Sequence, residues 1–162
     1  MIKILGFLAC AVSLSVFSSR YNAVWRGRAE LIFALLHTVE HIKSRAEAFP
    51  DTLQNIINEY FPKDAPQSSL KESLLGYCRT GCGEIIPKDL RHLLDTADGE
   101  RFTRFIKELG TGSLDEERGR ANDIHAYLLE RKRQAEDERD KTRKLSLTLT
   151  ACALGGLLML IL

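Results

Sequence analysis

His37 and His41 stand four residues apart in the run His37-Thr38-Val39-Glu40-His41, a spacing that puts both imidazoles on one face of a helix. Such a pair can hold a metal ion. A zinc protease, however, carries its glutamate directly after the first histidine, where this chain has Thr38. No third ligand is obvious, so the pair reads as a solvated or packed helix face. Cys78 and Cys82 are the second candidate pair, with three residues between them. A structural zinc site needs four ligands, and no further cysteine or histidine pair stands at a matching spacing. They read as free thiols near a turn, and a disulfide between them is plausible only in an oxidising compartment. Gly81-Cys82-Gly83 and Gly110-Thr111-Gly112 are too short for a phosphate loop and lack the following Lys-Ser/Thr, and no nucleophile elbow occurs. Carboxylates are plentiful but fall on periodic helical segments, where most are surface residues. The expectation is therefore no catalytic, cofactor-binding or metal-ligating residue: a non-enzymatic protein without cofactor or small-molecule substrate.

Charge marks out the organisation. All 22 acidic residues and all but one of the 23 Lys and Arg lie between Arg20 and Lys144, and only Lys3 lies elsewhere. A densely charged but nearly neutral middle argues against a nucleic-acid binder, which needs a basic excess to displace phosphate counterions. The ends are apolar. Leu145 to Leu162 contains no charged residue, and as a helix it covers roughly 27 Å, close to a bilayer's hydrocarbon thickness. Ile4 to Phe17 is shorter. A signal peptide cleaved after Ser18 and a lipoprotein site at Cys10 both fit it poorly, and an uncleaved anchor over residues 1–19 is the preferred reading. Cys10 and Cys152 lie within these segments as small hydrophobes. Arg20, Arg26 and Arg28 follow the first segment. Arg131, Lys132, Arg133, Arg139, Lys141, Arg143 and Lys144 precede the second. The positive-inside rule then places residues 20–144 in the cytoplasm between two transmembrane anchors, 1–19 and 145–162.

The middle reads as all-α. Its four prolines (Pro50, Pro62, Pro66, Pro87) cluster centrally, so two long uninterrupted regions flank a segmented centre. Ile32, Leu35, Val39, Ile42, Ala46 and Phe49 alternate spacings of three and four, the seam of a helix that packs lengthwise on another. Trp25 and Phe33 widen that stripe. Shorter helices follow. One is capped by Asp51 and carries Leu53, Ile56, Ile57 and Tyr60. Another opens at Ser68 or Ser69, bears Leu70, Leu74, Leu75 and Tyr77, and closes at Gly81. A third starts at Pro87 with Leu90, Leu93 and Leu94, and a fourth carries Phe102, Phe105, Ile106 and Leu109. Ser113 with Glu116 is a capping box for a last helix running from Leu114 to Leu162. Ala121, Ile124, Leu128 and Ala135 mark its packed face, and the mixed charge of 130–144 reads as a solvated stalk. The expected architecture is a membrane-anchored helical bundle, with two long arms carrying short helices packed at or between their tips. Gly155-Gly156 could admit a second helix closely.

This layout resembles the stage III sporulation protein AB (SpoIIIAB) family of endospore-forming bacteria. The resemblance rests on the opening Met1-Ile2-Lys3-Ile4-Leu5-Gly6, on Phe105 to Gly110 with the turn through Asp115, and on the tail from Gly156 to Leu162. Residues 51–86 match only in helical character. Cys152 stands where the family has the first glycine of its LGxxxG motif, and Arg120 stands nearest to its glutamine after the turn. The resemblance implies a membrane component of the secretion-like channel complex joining mother cell and forespore during engulfment. It also implies residence in the mother-cell membrane and likeness to the cytoplasmic helical domains of type II secretion platform proteins. The implied partners are the sporulation ATPase (SpoIIIAA) and other membrane proteins of the complex. A generic membrane-anchored coiled-coil adaptor, or a secretion or pilus platform component unrelated to sporulation, is the alternative.

Overall fold

The computed structural model describes the backbone of residues 2–48, 53–60 and 68–161; the side chains of residues 2–11, 14, 15, 17, 46–48, 60, 154 and 157–161 are outside the description. Every regular element in it is helical: α1 (Ile2–Ala48), α2 (Leu53–Tyr60), α3 (Ser68–Thr80), α4 (Lys88–Arg91), α5 (Thr96–Glu108) and α6 (Leu114–Ile161). The all-α expectation holds. Among the described residues no helix is long and apolar enough to cross a membrane. Much of the two apolar segments read as anchors, residues 1–19 and 145–162, has side chains outside the described set. The Asp51 cap and the seam positions Ala46 and Phe49 also lie outside it.

The chain forms two compact units, Glu30–Arg133 and the pair Met1–Ala29 with Gln134–Leu162. In the first, α1 supplies one wall of the core. Ile32, Leu35 and Val39 are fully buried and Ile42 nearly so, which is what their three-and-four spacing requires of a packed seam. Against Leu35, Val39 and Ile42 stand Ile56 and Ile57 of α2, Leu70 and Leu74 of α3, Phe102, Phe105 and Ile106 of α5, and Ala121, Ile124 and Leu128 of α6. Phe33 departs from the expected stripe. It is 44% exposed, with the Lys132 ammonium 4.9 Å over its ring and the His37 ring edge-on at 4.3 Å. Ile85 and Ile86 are buried although they belong to a loop, and Gly99 lets α5 approach them, its Cβ position lying 3.4 Å from Ile86 Cδ1.

The helix ends follow local chemistry. Gly81 closes α3 with φ +66°, its N–H donating to Tyr77 O at 2.8 Å, a left-handed cap that favours glycine. Pro87 stands one residue before α4 rather than inside its first turn. The capping box of α6 forms in both directions: Ser113 N–H donates to Glu116 Oε2 at 3.0 Å and Glu116 N–H to Ser113 Oγ at 3.4 Å. Arg120, one turn further, donates to Glu108 O at 3.0 Å and so covers a carbonyl left open at the end of α5.

Candidate functional site

Within Glu30–Arg133 the strongest polar constellation holds α5 to α6. Asp98 lies in the first turn of α5, where the helix end favours an anion, and it is fully buried. Its Oδ1 accepts from Tyr127 Oη at 2.6 Å and from Arg131 Nε at 2.8 Å, and its Oδ2 accepts from Arg131 Nη2 at 3.0 Å. Arg131 Nη2 also reaches Asp95, the residue before α5. The hydrogen bond to Asp98 raises the already high basicity of Arg131 against the opposing effect of its partial burial. Burial, then the bond to Asp98, pushes the Tyr127 phenol up. The Arg101 guanidinium lies 4.2 Å over the Tyr127 ring. With both its oxygens engaged by donors, Asp98 serves as a strut between two helices rather than as an acid or base. No local sequence pattern singles out Asp98. Arg131 was placed on a solvated stalk, yet it is four-fifths buried in this cluster.

The histidines are arranged differently from the sequence pair. Glu40 lies between His37 and a residue of α6: His37 Nδ1 is 3.3 Å from Oε2 and His125 Nε2 is 3.1 Å from Oε1. Among the described residues no group of three or more His, Cys, Asp or Glu is placed to hold a metal ion. Cys78 is half-buried, and burial raises its thiol and lowers its thiolate fraction. Cys82 is exposed beside the Gly81 turn. A cavity of about 400 Å³ opens between the loop before α4 and α5, lined by Ile85, Ile86 and Leu94 together with Glu84, Arg91, Thr96, Glu100, Thr103 and Lys107.

In the other unit, among the described residues, polar side chains meet between α1 and α6. Ser18 and Ser146 bond through their hydroxyls, and Asn22 Nδ2 donates to Ser146 Oγ at 3.3 Å. Ser18, Asn22, Trp25 and Ala29 on α1 are at least partly covered, as are Ala135, Thr142, Ser146, Thr150 and Ala153 on α6. Thr150 returns its hydroxyl to Ser146 O at 2.8 Å, so its polar group is satisfied along the helix. Among the described residues, several large apolar side chains face away: Val12 is 60% exposed, Val16 50%, Leu145 and Leu147 63% each, and Leu149 66%.

No known family, curated protein or solved structure matches the chain. Its functional reading rests on these residues and on the sequence pattern.

Proposed function

We propose that the chain is a non-enzymatic, membrane-anchored helical scaffold, held by apolar segments at residues 1–19 and 145–162, whose cytoplasmic domain docks a cytosolic motor ATPase. The observation that carries the anchoring is the orientation of side chains in Met1–Ala29 with Gln134–Leu162. In water, a helix pair buries its large apolar residues and exposes its hydroxyls. Here Ser18 and Asn22 both bond to Ser146 between the helices while Val12, Val16, Leu145, Leu147 and Leu149 face out. That is the arrangement for an apolar solvent, in which small residues allow close approach and polar groups find partners across the interface. The absence of charge from residues 4–19 and 145–162 supports the same reading.

The role follows from the resemblance to the SpoIIIAB family: a scaffold of the sporulation channel complex, in the mother-cell membrane, with SpoIIIAA as the docked ATPase. The core of Glu30–Arg133 and its Asp98–Arg131 strut support a head of fixed shape. The test is alkaline carbonate extraction of membranes from the source organism, followed by affinity capture of the full chain in detergent. Retention in the pellet with co-capture of the ATPase is the expected result. Release by carbonate overturns the anchor. Retention without the ATPase, together with normal counts of heat-resistant spores in a deletion strain, leaves the coiled-coil adaptor instead.

A further inference from the structure

Charge is segregated along this chain far more than its net value of +1 implies. Residues 1–29 and 141–162 contain seven Lys and Arg and no acid, while residues 30–140 contain 16 Lys and Arg against 22 acids. Arg20 and Arg26 on α1 and Lys141, Arg143 and Lys144 on α6 are exposed. None of the five enters an ion pair among the described residues, whereas Arg139 just beyond them is held by Asp140.

The seam sets their level. Ser146 meets both Ser18 and Asn22, so in this antiparallel pair residue 20 lies opposite residue 146. Residues 20–26 then run beside residues 140–146, a band of about 9 Å at the helical rise. All five cations fall in it. So do Tyr21 and Trp25, in edge contact at 6.4 Å, with the Arg28 guanidinium 5.7 Å over the Trp25 ring. The outward-facing Leu147, Leu149, Val16 and Val12 lie on one side of the band. A depth of this order matches the headgroup layer, roughly 5–8 Å per leaflet, and aromatic rings favour that layer.

We propose that this band is a binding belt for anionic phospholipid headgroups, in which Arg20, Arg26, Lys141, Arg143 and Lys144 gather lipid phosphates around the helix pair; it rests on the membrane reading above. A zwitterionic headgroup offers its phosphate together with a cationic amine, so the belt discriminates by net charge. One acid, Asp140, stands in the band, at its edge and engaged by Arg139; the first acid on α1 is Glu30.

The experiment places the full chain in phosphatidylcholine vesicles containing a minority of phosphatidylglycerol. It is then extracted into polymer-bounded discs, and the retained lipid is quantified. Phosphatidylglycerol enrichment of about threefold or more over the bulk bilayer is expected. Enrichment should vanish in the variant Arg20→Gln/Arg26→Gln/Lys141→Gln/Arg143→Gln/Lys144→Gln while carbonate resistance persists. An inserted wild-type chain without enrichment, or enrichment that survives in the variant, overturns the belt and leaves the anchor standing. A wild-type chain released by carbonate overturns the anchor and the belt with it. If the variant does not insert, salt decides on the wild-type chain. Enrichment lost between about 0.05 and 0.5 M salt upholds the belt, and enrichment indifferent to salt overturns it.

Discussion

At the residue scale the molecule depends on Asp98. A fully buried carboxylate is tolerable only while its donors remain. Arg131→Met should therefore cost about 3–5 kcal/mol, because it leaves that charge without its cation. Asp98→Ala should cost less, since Arg131 is still able to reach Asp95 and water. Urea unfolding of the full chain in mild detergent measures both, and equal losses would argue against the strut. Tyr127→Phe should cost about 0.5–1.5 kcal/mol, the worth of one hydrogen bond. It should also change the alkaline limb. The folded phenol is raised, so its contribution is complete below the unfolded value of about 10 and declines as pH climbs through the folded one. The phenylalanine variant should lack that decline.

At the element scale α6 is started by chemistry and held by packing. Ser113→Ala removes the side-chain half of the capping box and should cost about 1 kcal/mol. The Glu116 carboxylate is held below the usual carboxylate range by its hydrogen bonds from Ser113, backbone first and hydroxyl second. A depressed folded value means a contribution present at neutral pH and lost as pH falls from about 4.3 through the folded value. Helicity followed by circular dichroism during acid titration should show α6 less sensitive in Glu116→Gln than in the parent. Leu128 is fully buried among the core residues. Leu128→Ala should cost about 2–5 kcal/mol in the same urea measurement.

At the scale of the whole molecule the prediction concerns sidedness. Cys82 is exposed and Cys78 half-buried, so Cys82 is the natural reporter. An impermeant maleimide should leave both unlabelled in intact cells and modify Cys82 after lysis. Labelling from outside would overturn the cytoplasmic orientation and the ATPase contact together. The charge pattern behind this prediction was fully legible in the sequence, since the cations before residue 145 need no structure to be counted. What lay beyond reading was their alignment in one band, which depends on the register between α1 and α6.

The sequence by itself determined most of the helices, the caps at Gly81 and Ser113, and most of the core. Ile32, Leu35, Val39, Leu70, Leu74, Phe102 and Leu128 were all legible from spacing, and all are buried. The reason is physical: helical periodicity and capping act over three or four residues, so a short window contains the whole cause. Only the tertiary structure decided which polar groups meet. Asp98 and Arg131 are 33 residues apart, and Glu40 and His125 are 85 apart. Arg131 therefore looked solvated, and nothing in the spacing around Glu40 pointed to His125. It was likewise the pairing of α1 with α6 that turned Ser18, Asn22 and Ser146 toward one another and the leucines outward. A helix carries its own periodicity, but the face that is covered depends on what arrives beside it.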